Sequence, residues 1–352
     1  MTTPILRVRD ISTALVGRKS VIQVLTSVDL DVFRGEIIGL VGESGSGKST
    51  LAAAILNLLQ PPQTLQSGSA FLTLPNGEEK DLLAISEGEL RRLRWQNIAY
   101  IPQGSMNVLN PVLTIKRQMT DMLLHHGLNH AQALERAQAA LQMVNLSSNV
   151  LNRYPHELSG GMLQRVVIAT AVTMNPAVIV ADEPTTALDV VTQRLILQEL
   201  MKIRDTLGTT IILISHDMGV MAQVADRIAV MYAGRLAEVG SVISVFEEGL
   251  HPYTKGLIAS IPQHHNERVR ALPGEAPTPW HYPQGCRFHP RCPHAMAACS
   301  QALPELLVHA PQHLAACYLY EYPDNALEIN RTPAQVIIQN GKGLHERSAN
   351  CS

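Results

Sequence analysis

Gly42-Glu43-Ser44-Gly45-Ser46-Gly47-Lys48-Ser49 decides the fold of this chain. The spacing is G-x-x-x-x-G-K-[ST], and each position has a physical reason. Glycines let successive backbone N–H groups turn inward around phosphate oxygens, while a following helix points the positive end of its dipole at them. Lys48 would reach the β- and γ-phosphates of a nucleoside triphosphate, and the Ser49 hydroxyl would ligate Mg²⁺. The candidate phosphate-binding set is Gly42, Ser44, Gly45, Gly47, Lys48, Ser49 and Thr50. The flanks agree. Residues 36–41 (EIIGLV) read as a short buried strand, and 49–59 as an alanine- and leucine-rich helix stopped by Pro61-Pro62. Strand, glycine loop and helix make one half of a parallel βα unit.

A second apolar run, 178–181, ends in Asp182-Glu183. Asp182 can hold Mg²⁺ through its water shell, and Glu183 is placed to polarise an attacking water. Alone, such a strand end is common and marks only where a strand stops; beside a phosphate loop it becomes the other half of a hydrolytic site. Further strands are expected at 97–101, closed by Pro102, and at Thr210–Ser215, with a hairpin over 228–239. Leu6 and Val8, then Val28, Leu30 and Val32, alternate as half-buried strands do. Between about 104 and 158 the pattern turns helical, with Leu134, Ala137, Leu141 and Val144 on one face, and Val190–Leu207 reads as a helix ended by Gly208.

The bulk properties exclude several classes. With 352 residues, 46% hydrophobic and 16% charged, the chain can bury a full core and hold one large domain plus a smaller one. A net charge of −2 gives no footprint for nucleic acid. No apolar stretch approaches the roughly 20 residues of a membrane span, and the start has no secretory pattern. A cytoplasmic protein that meets a membrane only through partners is expected.

With these motifs in hand, the chain resembles the nucleotide-binding subunit of an ABC transporter over about 1–245. Leu158-Ser159-Gly160-Gly161-Met162 with Gln164-Arg165 is similar to that family's signature, Gln103 to its Q-loop, Ala187-Leu188-Asp189 to its D-loop and His216 to its switch histidine, all in the family's order. The resemblance implies an α/β fold: a P-loop NTPase ABC cassette with a RecA-like core, an antiparallel β subdomain and a helical subdomain (about 104–165). It also implies ATP and Mg²⁺ as ligands. Two cassettes would pair head to tail, identical or related, so that Ser159, Gly160 and Gly161 of one chain close over the γ-phosphate held by Lys48 of the other. Gln103 would touch Mg²⁺ or its water and, through the helical insert, a membrane subunit; His216 would contact the γ-phosphate. One departure stands out. Residues 11–16 contain no aromatic to stack adenine, which leaves Leu15 as an apolar platform.

The C-terminal part narrows the resemblance. His251-Pro252-Tyr253-Thr254-Lys255-Gly256-Leu257, Leu272-Pro273-Gly274 and Gly285-Cys286-Arg287-Phe288-His289-Pro290-Arg291-Cys292-Pro293 resemble the extension of the oligopeptide/dipeptide/nickel uptake family. The segment Pro102-Gln103-Gly104-Ser105-Met106-Asn107-Val108-Leu109-Asn110-Pro111 fits as well, except that Gly104 stands where many peptide importers carry an acidic residue. The implied function is the ATP-hydrolysing subunit of an importer at the cytoplasmic face of the inner membrane. Its partners would be two permease subunits, a second ATPase and an external solute-binding protein. Peptides are the expected cargo, with oligosaccharides or nickel as alternatives. A soluble ABC ATPase would need coiled-coil arms, a second cassette or basic patches, none of which is present. An export motor is a third reading, which the extension opposes.

The expected division is 1–250 for the cassette, 251–330 for a loop-rich C-terminal domain and 331–352 for a tail. Nine of the 21 prolines fall between 262 and 311, and all five cysteines lie in the last 67 residues. Cys286, Cys292, Cys299 and Cys317 run C-x5-C-x6-C-x17-C. Four thiolates together suit a [4Fe–4S] cluster or a Zn²⁺ site, with His289, His294 and His313 as substitute ligands. The competing reading is a set of small buried hydrophobes. Cys351 is expected to be free.

Overall fold

The computed structural model describes residues 3–18, 20–104, 108–261 and 272–320. The expected tail, Cys351 and the Ser105-Met106-Asn107 stretch lie outside these residues.

Two sheets divide the strands. One is antiparallel, in the order β2-β1-β4-β5, from β1 (Pro4–Val16), β2 (Val21–Phe33), β4 (Gln63–Thr73) and β5 (Glu79–Asp81). The other has eight strands in the order β11-β12-β10-β9-β3-β8-β7-β6. These are β3 (Ile37–Val41), β6 (Ile98–Ile101), β7 (Val178–Asp182), β8 (Thr210–Ser215), β9 (Arg227–Tyr232), β10 (Arg235–Ser241), β11 (Leu307–Ala310) and β12 (His313–Ala315). Its centre, β9-β3-β8-β7-β6, is parallel.

The apolar runs form central strands because both faces of that sheet are covered. In β3, Ile37 and Val41 pack into one core while Ile38 and Leu40 pack into the other; Ile211 and Leu213 of β8 oppose Ile212 and Ile214 in the same way. Alternate residues feeding two cores explain why these strands read as unbroken hydrophobic stretches. One core includes helices α3 (Ile115–His125), α4 (His130–Met143), α5 (Gly160–Val172) and α6 (Val190–Leu207). The other is roofed by the antiparallel sheet, α1 (Lys48–Ile55) and α2 (Glu87–Leu93). Helix α6 buries Ile196, Leu200 and Ile203 at helical spacing and stops where Gly208 turns left-handed at φ 64°. Helix α1 is shorter than the sequence suggested. It ends at Ile55, and Asn57 then takes a left-handed φ of 52°.

The remaining helices, α7 (Met218–Val224), α8 (Val242–Glu248) and α9 (Pro252–Ala259), are short. After them the described residues of the proline-rich region form brief 3-10 turns and the two edge strands. Those strands tie it to the main sheet, because Glu238 and Val239 of β10 pair with Ala315 and Leu314 of β12. Among the described residues no helix is long and apolar enough to cross a membrane.

Candidate functional site

Parallel register brings the carboxyl ends of four strands to one edge. Val41 of β3 lies beside Ser215 of β8, Asp182 of β7 beside Ile214, and Ile101 of β6 beside Ala181. The residues just beyond those ends, 42–49, Glu183, Gln103 and His216, are therefore neighbours although they span about half the chain. Loops at the carboxyl edge of a parallel sheet are where such folds build their sites.

The loop over 42–49 is wound tightly enough to require its glycines. A Cβ on Gly42 (φ 150°) would sit 2.1 Å from the Met231 carbonyl oxygen, and one on Gly47 (φ 102°) would sit 2.7 Å from Leu25 Cδ2. Gly47 is the N-cap of α1 and offers no side-chain cap, so the first amides of the helix have no side-chain acceptor of that kind. Lys48 is buried and its Nζ donates to the carbonyls of Gly42 (2.8 Å) and Glu43 (2.9 Å). Burial lowers its pKa, an effect opposed by the carboxylates of Glu183, Asp182 and Glu43. Ser44 and Gly45 are exposed at the loop's tip, and Thr50 is half-buried in α1.

Ser49 Oγ donates to Asp182 Oδ1 (3.1 Å), and Tyr100 Oη donates to Asp182 Oδ2 (3.3 Å). Asp182 is 1% exposed, and burial raises its pKa despite these two donors. Next to it, Glu183 adopts a left-handed φ of 45°, a conformation uncommon for a residue with a Cβ and typical of constrained functional positions. Three side chains converge on its carboxylate: Gln103 Nε2 (2.9 Å) and Thr186 Oγ1 (2.8 Å) donate to Oε2, and His216 Nδ1 lies 3.3 Å from Oε1. Burial pushes the Glu183 pKa up, but the bonds from Thr186 and His216 outweigh it and leave the group below its usual range. Such a carboxylate stays ionised at neutral pH. A cleft of about 350 Å³, lined by Gln103, Gln164, Glu183 and Thr186 among others, opens beside it.

Ser159 caps α5, its Oγ accepting from Met162 N (3.4 Å), and it is exposed. Gly161 lies against α6, where a Cβ would come 2.7 Å from Thr192 Cγ2. Among the described residues no hydrogen bond joins 159–161 to 42–49 of the same chain. Asp189 caps α6 through Thr192 N (3.0 Å) and Thr192 Oγ1 (2.6 Å). Leu15 is half-buried against the second core.

Sequence reasoning missed Tyr100, Thr186, Tyr253 and Arg291. Tyr100 and Thr186 stand next to recognised motifs, within a strand and three residues after Glu183, and so were findable by position. Tyr253 and Arg291 reach Glu43 across 210 and 248 residues, and nothing local signals that.

The expected four-cysteine centre, [4Fe–4S] or Zn²⁺, finds no support among the described residues. Among the described residues no three His, Cys, Asp or Glu side chains are grouped to hold a metal ion. Cys286, Cys292, Cys299 and Cys317 are free thiols close enough to influence one another electrostatically. Burial pushes Cys286 up to about 11 and Cys317 up to about 12, and the neighbouring cysteines add to the rise. Without a metal, Cys286 and Cys317 favour the neutral thiol, which packs as a small apolar group. Two of the three histidines have partners of their own: His313 Nε2 meets Glu238 Oε1 (2.7 Å), and His289 Nδ1 lies 2.9 Å from the Cys286 carbonyl.

A glycine loop opening a helix, with strand-end carboxylates beside it on a parallel sheet, defines a P-loop nucleoside triphosphatase. Comparison with known proteins refines that class. The "ABC transporter" family model matches residues 25–186, and the "Oligopeptide/dipeptide transporter, C-terminal region" model matches 237–299. The chain is 42% identical over 323 residues to the oligopeptide transport ATP-binding protein AppD of Bacillus subtilis, covering 90% of this chain and 97% of that one. It is 40% identical over 322 residues to the dipeptide transport ATP-binding protein DppD of Caldanaerobacter subterraneus, covering 90% and 97%. A dimeric ATP-binding cassette solved in a post-hydrolysis state with ADP and Pi superposes with a TM-score of 0.59 at 29% identity, covering 67% of this chain and 98% of that one. The chain belongs to the ABC transporter ATP-binding family, in its oligopeptide/dipeptide branch, and is an ATPase.

Proposed function

We propose that this chain is the ATP-hydrolysing subunit that energises a peptide importer, with Glu183 as the base that activates water. The observation that carries the catalytic reading is the convergence of Gln103, Thr186 and His216 on an ionised Glu183 beside the Lys48 loop and the Ser49–Asp182 pair. The loop amides and Lys48 bind the phosphates, and Lys48 exchanges the carbonyls of Gly42 and Glu43 for phosphate oxygens. Ser49 and Asp182 would hold Mg²⁺, which when bound neutralises phosphate charge. Gln103 and His216 orient the Glu183 carboxylate, and His216, with its side chain 65% exposed, is free to turn toward the γ-phosphate. Ser159, Gly160 and Gly161 act on the nucleotide of a facing subunit, and Asp189 holds the start of α6 beside them. Supporting this, Ser159 is exposed and the similar solved cassette is dimeric.

The peptide cargo is supported by 40–42% identity to oligopeptide and dipeptide transport proteins along nearly their whole length. The chain would sit on the cytoplasmic face of the membrane through two permease subunits, with 1–250 as the cassette, 251–330 as the C-terminal domain and 331–352 as a tail. Purification of the intact complex tests the reading. ATPase activity should rise with peptide-loaded binding protein and not with oligosaccharide or nickel; stimulation by one of those alone, or the absence of permease subunits, refutes it.

A further inference from the structure

Glu43, the residue after the first loop glycine, is gripped by the far end of the chain. Its backbone N–H donates to Tyr253 Oη (2.8 Å). Its carboxylate accepts a forked pair from Arg291, NH1 to Oε2 at 2.7 Å and NH2 to Oε1 at 2.9 Å. The guanidinium is itself fixed, because Nε donates to the Pro273 carbonyl (2.8 Å) and NH1 also reaches Tyr232 Oη (3.2 Å). The Arg291 side chain is 6% exposed and that of Glu43 27%, so the pair is better shielded than a surface ion pair, and a planar fork on a carboxylate is the strong form of that contact.

Arg287 makes a parallel attachment four residues earlier. NH1 donates to the Ala233 carbonyl, and NH2 donates to Thr26 Oγ1 at 2.7 Å. The turn it holds touches the same loop, since Gly234 N donates to the Ser46 carbonyl (2.8 Å). Both arginines lie in the interval between Cys286 and Cys292. One short segment of the C-terminal region thus grips the loop at Glu43 directly and reaches Ser46 through the turn at Ala233-Gly234.

We propose that Arg291 and Tyr253, with Arg287 in support, are positioning residues that brace the phosphate loop and set its affinity for nucleotide. The physical argument runs through Lys48. Its Nζ bonds to the carbonyls of Gly42 and Glu43, and the brace grips Glu43 by its N–H and its carboxylate. The brace therefore fixes the peptide units the lysine must release before it can engage phosphate. A preorganised loop loses less freedom when nucleotide binds; without the brace that cost rises and affinity falls. The inference rests on reading 42–49 as the ATP loop.

Titration calorimetry with Mg-ATP and Mg-ADP, steady-state ATPase kinetics and thermal melting on the full chain test it. Arg291→Ala should weaken nucleotide binding about tenfold, within the usual range for coupling between sites, with the larger part of the effect in KM and the smaller in kcat. Arg291→Lys should recover only part of that, since a lysine cannot supply the fork. Glu43→Gln, near-isosteric and partly exposed, should reproduce the loss even if Arg291→Ala folds poorly. The double variant should be no worse than either single one. Wild-type affinity in Glu43→Gln, strictly additive losses, or a fall in Tm with unchanged affinity each overturn the brace. Lys48→Ala in the same assay separates the two claims: if it binds nucleotide normally, the ATP-loop reading itself has failed.

Discussion

Two glycine-bearing helix starts make similar offers to a phosphate in opposite ways. Before α1 the loop closes on itself: Lys48 is buried on the loop's own carbonyls, Ser49 is bonded to Asp182, and the C-terminal region grips Glu43. Before α5, Ser159 is exposed and caps its own helix, and none of 159–161 is hydrogen-bonded to the first loop. One start is built into a site within the chain. The other stands exposed with no hydrogen bond to that site, and in the proposed function it completes the site of a second copy or a paralogue.

Breaking that contrast gives graded effects. The largest is expected for Glu183→Gln, which should lower turnover by about 10²–10⁴-fold while leaving nucleotide binding intact, the usual range for removing a general base. Near wild-type turnover in that variant would remove Glu183 from the role. Lys48→Ala comes next, with nucleotide affinity lower by roughly 100-fold because two charged contacts to phosphate are lost. Ser159→Ala tests the other helix start. Loss of the cap costs about 1 kcal/mol of stability, and turnover should fall in the assembled pair, while affinity measured on the lone chain stays unchanged. A parallel fall in lone-chain affinity would mean that the α5 start serves its own nucleotide, and the contrast would be wrong.

The smallest effect is a pH dependence confined to the braced side. Burial holds the His251 pKa down at about 4, against the opposing charge of Glu238, and its neutral Nδ1 accepts from Tyr253 N (3.0 Å). The folded value lies below the ordinary 6.5, so this contribution to stability is present above about 6.5 and is lost as pH falls toward 4. Melting curves between pH 7 and 4 should show Tm declining, with a shallower slope in His251→Asn; identical slopes would show that His251 is not the titrating group.

Much of this molecule is legible along the chain. The phosphate loop, the Asp182-Glu183 strand end and the helix Val190–Leu207 are local patterns, because a P-loop, a buried strand and a capped helix each need particular residues at fixed short spacings. The cysteine spacing left its question open for the complementary reason. Ligand type and number can be read locally, but whether four thiols converge on one point, and whether burial leaves them neutral, is set by the packing around them.

The amino-acid sequence by itself determined which groups are proposed to meet ATP: Lys48, Ser49, Asp182, Glu183, Gln103 and His216, with Ser159, Gly160 and Gly161 proposed to serve a partner. Tertiary structure alone decided how they are held. Parallel register puts four strand ends at one edge, three side chains meet on Glu183, and Arg291 reaches back 248 residues to Glu43. Side-chain chemistry belongs to each residue, whereas proximity is created only when the sheet orders its strands and the edge strands fold the C-terminal region against the loop.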